Sequence, residues 1–381
     1  MFVLIRNAHV YAPEDLGKQD VLICDRKIVR VAPKIDFPWD GDDLTLLDAE
    51  GKSLVPGFID QHVHIIGGGG EDGFASLIRE IQMTDCVRWG VTTVVGVLGT
   101  DCNAKHVETL VARTKALREQ GMTAYCLTGS YTYPPITLTG SVAKDMAFVD
   151  EIIGVKIAIA EHRASNISAE ELARLATQVR TVSFLTHKPG VVHMHTGRGK
   201  KQYSDVLRIV EETDIPITQF RPTHVNIDSE STLAFARAGG YLDFTSGSQT
   251  SESAAQLKKA LGLVPLAQIT LSSDSNGSFP KWSEDGRRIV AMGVGKMETL
   301  FDTIRRLVRE QGVDLGTAVS IITRNVADAL MIYPTKGCIG KGADADMVLL
   351  DDELRITDVL ALGKFMVRGG ELVAKDYYDY G

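Results

Sequence analysis

Short apolar runs recur along the chain, and what lies between them changes twice. Near the beginning they are Phe2-Val3-Leu4-Ile5, Asp20-Val21-Leu22-Ile23-Cys24, Lys27-Ile28-Val29-Arg30-Val31 and Thr45-Leu46-Leu47-Asp48, separated by polar stretches. Such runs between turn residues predict strands, with Asp25-Arg26 as a hairpin turn. The same texture returns near the other end, in Asp346–Leu350, Asp358–Leu362, Lys364–Arg368 and Glu371–Val373, with Gly369-Gly370 as another hairpin turn. Neither set of strands carries a core of its own, so they are expected to form one small split β-sandwich domain, residues 1–55 plus 336–381.

Between these ends the pattern becomes strand, loop, helix, repeated. It opens with Val55-Pro56-Gly57-Phe58-Ile59, apolar on both faces. Further runs follow at Val91–Val97, Ala124–Thr128, Val155–Ile159, Val191–His195, Ile215–Phe220, Leu242–Thr245 and Ile269–Asp274. Helical spacing fills the intervals at His106–Gln120, Glu170–Val182, Tyr203–Thr213 and Glu230–Ala238, with Ser168 placed as an N-cap before Glu170 and Glu171. Met297, Leu300, Phe301, Ile304, Leu307 and Val308 make an apolar stripe of helical period, which is core. Eight strand–helix units in about 280 residues predict an α/β fold, a (β/α)8 TIM-type barrel over 56–335. A doubly wound open sheet fits less well, because no Gly-x-Gly-x-x-Gly follows the first strand and polar residues stand at many strand ends.

Bulk properties narrow the function classes. The chain has 381 residues and a formal net charge of −8, which disfavours nucleic acid and anionic membrane surfaces as partners. No apolar run approaches the ~20 residues of a membrane span. The first residues turn polar too soon for a signal peptide. Five scattered cysteines without a Cys-x-x-Cys pair suit reduced thiols. A cytoplasmic protein is expected.

The chemistry gathers where the strands end. His62 and His64 are spaced i, i+2 and so share one face of a strand, a pairing that can hold a divalent metal. Gly67-Gly68-Gly69-Gly70 follows and lets backbone approach closely. Lys156 lies within an apolar run, where an unpartnered ammonium is costly. His193 and His195 repeat the i, i+2 spacing, His224 follows the sixth strand and Asp274 ends the eighth. Four or five histidines, a buried lysine and an aspartate at one end of one barrel constitute a candidate site.

This arrangement resembles the amidohydrolase superfamily, and within it the isoaspartyl dipeptidases. The likeness rests on Gly57–His64 with its four glycines and Glu71, Leu98–Asp101, Leu127–Tyr131, Thr139–Val142, Ile153–Lys156, Pro222–Asn226, and Leu271–Asp274 with Asn276–Ser278. The resemblance implies two divalent metals, zinc by default: His62, His64 and Asp274 on the first, His195 and His224 on the second. Lys156, carboxylated by CO2 to N6-carboxylysine, would bridge them. It implies hydrolysis of the isopeptide bond of β-aspartyl dipeptides by a metal-bridging hydroxide, with Asp274 as general acid and base and Tyr131 stabilising the oxyanion. Glu71 would meet the substrate's α-amino group, Gly69, Thr100 and Ser278 its α-carboxylate, and Arg163 the carboxylate of the leaving residue. His193 is expected to support the site rather than to ligate.

One position departs from the pattern. The resemblance implies a second arginine three residues after the strand-six histidine, and the chain has Ile227 there. Ile227 is therefore expected to turn apolar surface toward the leaving side chain. A small dipeptide substrate and a homo-oligomer complete the expectation. The alternatives are a cyclic amidase, an N-acyl-amino-acid deacylase, or a metal-free scaffold of the same fold.

Overall fold

The computed structural model describes residues 1–39, 41–285 and 287–378, so the last three residues of the expected terminal span 336–381 lie outside it. Eight parallel strands follow one another around a barrel: Phe58–Val63, Val91–Gly96, Thr123–Gly129, Ile152–Ile159, Val191–Thr196, Phe220–Thr223, Leu242–Thr245 and Ile269–Ser272. Most are buried along their whole length, as parallel strands covered by helices must be. A bridge between Val63 and Ser275, with the His64 amide donating to the Ser275 carbonyl at 2.9 Å, brings the last strand back to the first.

Two expected strands are redrawn. The run Val55–Ile59 is two strands in different sheets: Ser53–Pro56 pairs with Met347–Leu350, and Phe58–Val63 opens the barrel. Gly57 is the crossing point. A Cβ there would lie 2.3 Å from Thr92 Oγ1 and 2.9 Å from Asp346 Cβ, so only glycine allows both sheets to be met at once. The sixth strand starts later than expected. Pro216 lacks a ladder donor, and Ile217–Gln219 forms a 3-10 turn before the strand Phe220–Thr223.

Helices cover the barrel largely where the spacing put them. Val107–Glu119, Ala169–Thr186, Ser204–Glu212, Glu230–Arg237 and Glu298–Arg309 match expected segments within a few residues. Ser168 caps its helix with Glu171 in a reciprocal capping box. Val142–Phe148, Thr250–Leu261 and a hairpin of Ser278–Trp282 with Ile289–Val294 were not anticipated.

The terminal segments build one nine-stranded sheet. Its order runs Glu371–Leu372, Lys364–Arg368, Ile356–Ala361, Met347–Leu350, Ser53–Pro56, Phe2–Tyr11, Asp15–Cys24 and Lys27–Ala32, with Leu44–Asp48 also paired to Phe2–Tyr11. Val3, Ile5, Val21, Ile23, Ile28, Leu54 and Leu349 share its core, while Leu4, Leu22 and Ile35 form a smaller cluster of their own. Buried Lys336 lies 2.9 Å from Asp344 and also pairs with Asp346, just ahead of Met347–Leu350. No helix among the described residues is long and apolar enough to cross a membrane.

Candidate active site

Each barrel strand delivers its terminal residues to the same end. His62 is fully buried between two nitrogens: its Nδ1 is 3.0 Å from His193 Nε2, and its Nε2 is 3.2 Å from Lys156 Nζ. Asp274 Oδ1 lies 3.1 Å from His64 Nε2 and 3.4 Å from His62 Nε2, yet forms no aligned hydrogen bond. His224 donates or accepts through Nδ1 with Thr245 Oγ1 at 2.7 Å, which leaves Nε2 turned to Asp274 Oδ2 at 3.9 Å. His224 and Asp274 both hold a positive φ, 61° and 54°, a conformation that costs a residue with a Cβ about 1–2 kcal/mol. Strain of this kind collects at functional positions.

The charge states follow from burial. It holds the imidazoles of His62 and His193 well below the ordinary value, lowers His195, and takes His224 down to about 3. These side chains are neutral and have lone pairs available. Burial also drives the Lys156 amine down to about 7, and no carboxylate forms an ion pair with it among the described residues. Burial opposes the Asp274 charge, but the nearness of His64 and His224 outweighs it and holds the carboxyl below its usual value.

A second cluster forms beside the first. Tyr131 Oη is 2.7 Å from His195 Nδ1, and His195 Nε2 is 3.2 Å from Glu161 Oε2. Burial keeps the Tyr131 phenol protonated. Arg163 donates from Nε and Nη2 to the two Glu161 oxygens at 3.1 and 3.2 Å. Burial works to raise Glu161, yet the hydrogen bonds from His195 and Arg163 win and hold it well below the carboxylate range. Glu71 Oε1 accepts from Ser278 Oγ at 2.6 Å, from Thr100 Oγ1 at 3.1 Å and from Arg163 Nη1 at 3.4 Å. Its other oxygen, Oε2, is buried and has no hydrogen-bond partner among the described residues. A cavity of about 560 Å³ joins the two clusters, lined among others by His64, Gly69, Glu71, Thr100, Tyr131, Arg163, His195, His224, Asp274 and Ser278. That volume suits a small ligand.

The structure thus brings together His62, His64, Lys156, His195, His224 and Asp274, and sets Glu71, Gly69, Thr100, Arg163, Ser278 and Tyr131 around the same cavity. Ile227 is different. It is 1% exposed, packed in the barrel's main hydrophobic cluster with Val225, and does not line the cavity. The expectation that it faces the leaving side chain is corrected: the strand ends at Thr223, and the bend at His224 and the turn after it carry Val225 and Ile227 into the core. Sequence reasoning missed Glu161, which closes strand four beside Arg163, and Arg198, on the loop after strand five. It also missed Phe279, Pro280 and Trp282, which the hairpin brings to the cavity. Glu161 had a signal, since an acid at a barrel strand end is placed like the other site residues.

The donors present fit divalent metal ions. His62, His224 and Asp274 offer ligand atoms within 4.8 Å of one another. Asp274 Oδ1 is buried without a hydrogen-bond partner among the described residues, a costly state that a cation near the carboxylate relieves.

Known proteins resemble the chain in sequence and fold. The Amidohydrolase family profile matches residues 53–372. A solved β-aspartyl dipeptidase from Fervidobacterium islandicum AW-1, in complex with β-Asp-Leu dipeptide, is 37% identical over 99% of this chain and 100% of that one, with a TM-score of 0.91. Dihydropyrimidinase from Brevibacillus agri shares the fold, with 19% identity, a TM-score of 0.70, and coverage of 98% and 96%. Among curated proteins, a Staphylococcus aureus dihydroorotase is 30% identical over 165 residues, 41% of this chain. The chain spans only 37% of that relative's length. The profile match takes in all eight barrel strands together with the strands Ser53–Pro56 and Met347–Leu372 of the terminal sheet, and the chain belongs to the amidohydrolase family of metal-dependent hydrolases.

Proposed function

We propose that the protein hydrolyses the isopeptide bond of β-aspartyl dipeptides at a centre of two divalent ions, by default zinc. The observation that carries the substrate assignment is Glu71 Oε2, a buried carboxylate oxygen without a donor among the described residues, on a side chain that lines the cavity. A substrate ammonium supplies that donor with a charge-assisted hydrogen bond. The free α-amino group of a β-aspartyl residue stands beside its scissile amide, so Glu71 would fix both together. The likeness to a β-aspartyl dipeptidase over the whole chain supports the same reading.

His62, His64 and Asp274 would hold one ion and His195 and His224 the other, with Lys156 as a carbamate between them. The carbamate forms when the neutral amine adds to CO2 and releases a proton. Two ions there would supply a deprotonated water near neutral pH and polarise the scissile carbonyl. Asp274 takes the proton of the attacking water and passes it to the departing amine nitrogen as the C–N bond breaks. Tyr131 donates its hydroxyl to the carbonyl oxygen as negative charge grows there. Glu161 holds the Nε2–H of His195 and so aims Nδ1 at the site, the support that metal-ligating histidines require. His193 does the same for His62. Gly69, Thr100 and Ser278 receive the aspartyl α-carboxylate.

The test is turnover of β-Asp-Leu against α-Asp-Leu by metal-loaded protein, with metal content and intact mass measured alongside. Selective cleavage of the β-linked peptide, two ions per chain, and one bound CO2 lost in Lys156→Ala are expected. Equal cleavage of both linkages would sink the substrate assignment. Turnover of dihydroorotate or allantoin, without any of β-Asp-Leu, would favour a cyclic amidase, the class of the partly matching curated relatives.

A further inference from the structure

Three carboxylates, Glu71, Glu161 and Asp274, and two guanidinium groups, Arg163 and Arg198, line the cavity. A β-aspartyl dipeptide brings one ammonium and two carboxylates. Glu71 serves the ammonium, and the hydroxyls and backbone around Gly69, Thr100 and Ser278 serve the aspartyl carboxylate. The carboxylate of the leaving residue still needs a cation. Arg163 is already committed: its Nε and Nη2 both go to Glu161, and its Nη1 is 3.4 Å from Glu71. Ile227 is sealed in the core.

Arg198 is exposed and makes no hydrogen bond or ion pair among the described residues. Its backbone, by contrast, is tied down on both sides. The Gly199 amide donates to the Ala160 carbonyl at 2.6 Å, and Gln202 Nε2 donates to the carbonyls of Gly197 and Gly199, each at 3.0 Å. A fixed root with an uncommitted head at the cavity rim is what recognition of a carboxylate needs. The hairpin adds an apolar wall of Phe279, Pro280 and Trp282, and Trp282 stands edge-on to His162 at 5.5 Å.

We propose that Arg198 binds the α-carboxylate of the leaving residue and sets specificity for it, while Phe279, Pro280 and Trp282 receive that residue's side chain. The proposal rests on the β-aspartyl dipeptidase reading above. The chain recognises the end of its dipeptide from the loop after strand five.

The experiment compares β-Asp-Leu with β-Asp-Leu-amide in two ways: kcat/KM of the metal-loaded enzyme, and calorimetric binding to full-length Asp274→Asn protein. Wild type should favour the acid by about tenfold or more, with the difference in KM. Arg198→Gln should bring the two substrates to within about threefold of each other by weakening the acid alone, with kcat little changed. Arg198→Lys should keep part of the preference, and Trp282→Ala should weaken both substrates together. The proposal is overturned if Arg198→Gln keeps the wild-type ratio, if wild type shows no preference, or if only Arg163→Gln removes it. If no form turns over β-Asp-Leu, the β-aspartyl dipeptidase reading fails, and the binding ratio still decides Arg198.

Discussion

In the proposed mechanism Asp274 would carry two duties, ligand and proton carrier, in a backbone conformation that is itself strained. Asp274→Asn should therefore lower kcat by about 10²–10⁴-fold, the range for general acid–base groups, with binding of β-Asp-Leu still measurable by calorimetry. Tyr131→Phe should lower kcat by about 10²–10³-fold and change KM less if the hydroxyl is the proposed oxyanion donor, which would act in the transition state. Wild-type kcat in Tyr131→Phe would mean that the hydroxyl only restrains His195, 2.7 Å away. Much at this scale was legible. The two i, i+2 histidine pairs, the lysine within an apolar run and the strand-end aspartate all announce themselves through strand period and burial cost. Arg198 and Trp282 did not, because loop and hairpin residues obey no period. Ile227 was misplaced for the complementary reason: counting residues from His224 ignored which face each one takes.

The elements were read best where large aliphatic residues mark them. Thr250–Leu261 went unnoticed because its buried face is built of Ala254, Leu257 and Ala260 within an otherwise polar stretch. The hairpin Ser278–Trp282 with Ile289–Val294 is half exposed and carries Pro280, both weak signals for a strand. Gly57 shows how one residue can divide an apolar run that looks continuous. Gly57→Ala places a methyl against Thr92 and Asp346 in a packed junction and should cost about 1–3 kcal/mol of stability. A lowered thermal midpoint in denaturation would report this, and an unchanged midpoint would show that the junction yields. Gly295 has a similar role beside the site, where a Cβ would come 2.0 Å from the Asp274 carbonyl oxygen.

Over the whole molecule the buried histidines set a pH dependence. His62, His193, His195 and His224 are held neutral in the fold, whereas the unfolded chain protonates them near 6.5. Below that value the unfolded state binds protons that the folded state excludes, so stability falls as pH falls. Asp60, raised by burial to about 7, and Asp243, also raised by burial, act in the opposite direction above the ordinary carboxylate range. Four imidazoles outnumber two carboxyls. The thermal midpoint of metal-free protein should therefore rise from about pH 5 to about pH 7, and a falling profile would show that the histidines are charged in the fold. The pairing of Ser53–Pro56 with Met347–Leu350 has a further consequence, for biosynthesis. The partners are roughly 300 residues apart, so at about 5–20 residues per second the first waits roughly 15–60 s on the ribosome for the second. Through that interval the strand leading into His62 and His64 has Phe2–Tyr11 on one side and an open edge on the other. That edge is where the nascent chain is most exposed to pairing with a neighbour.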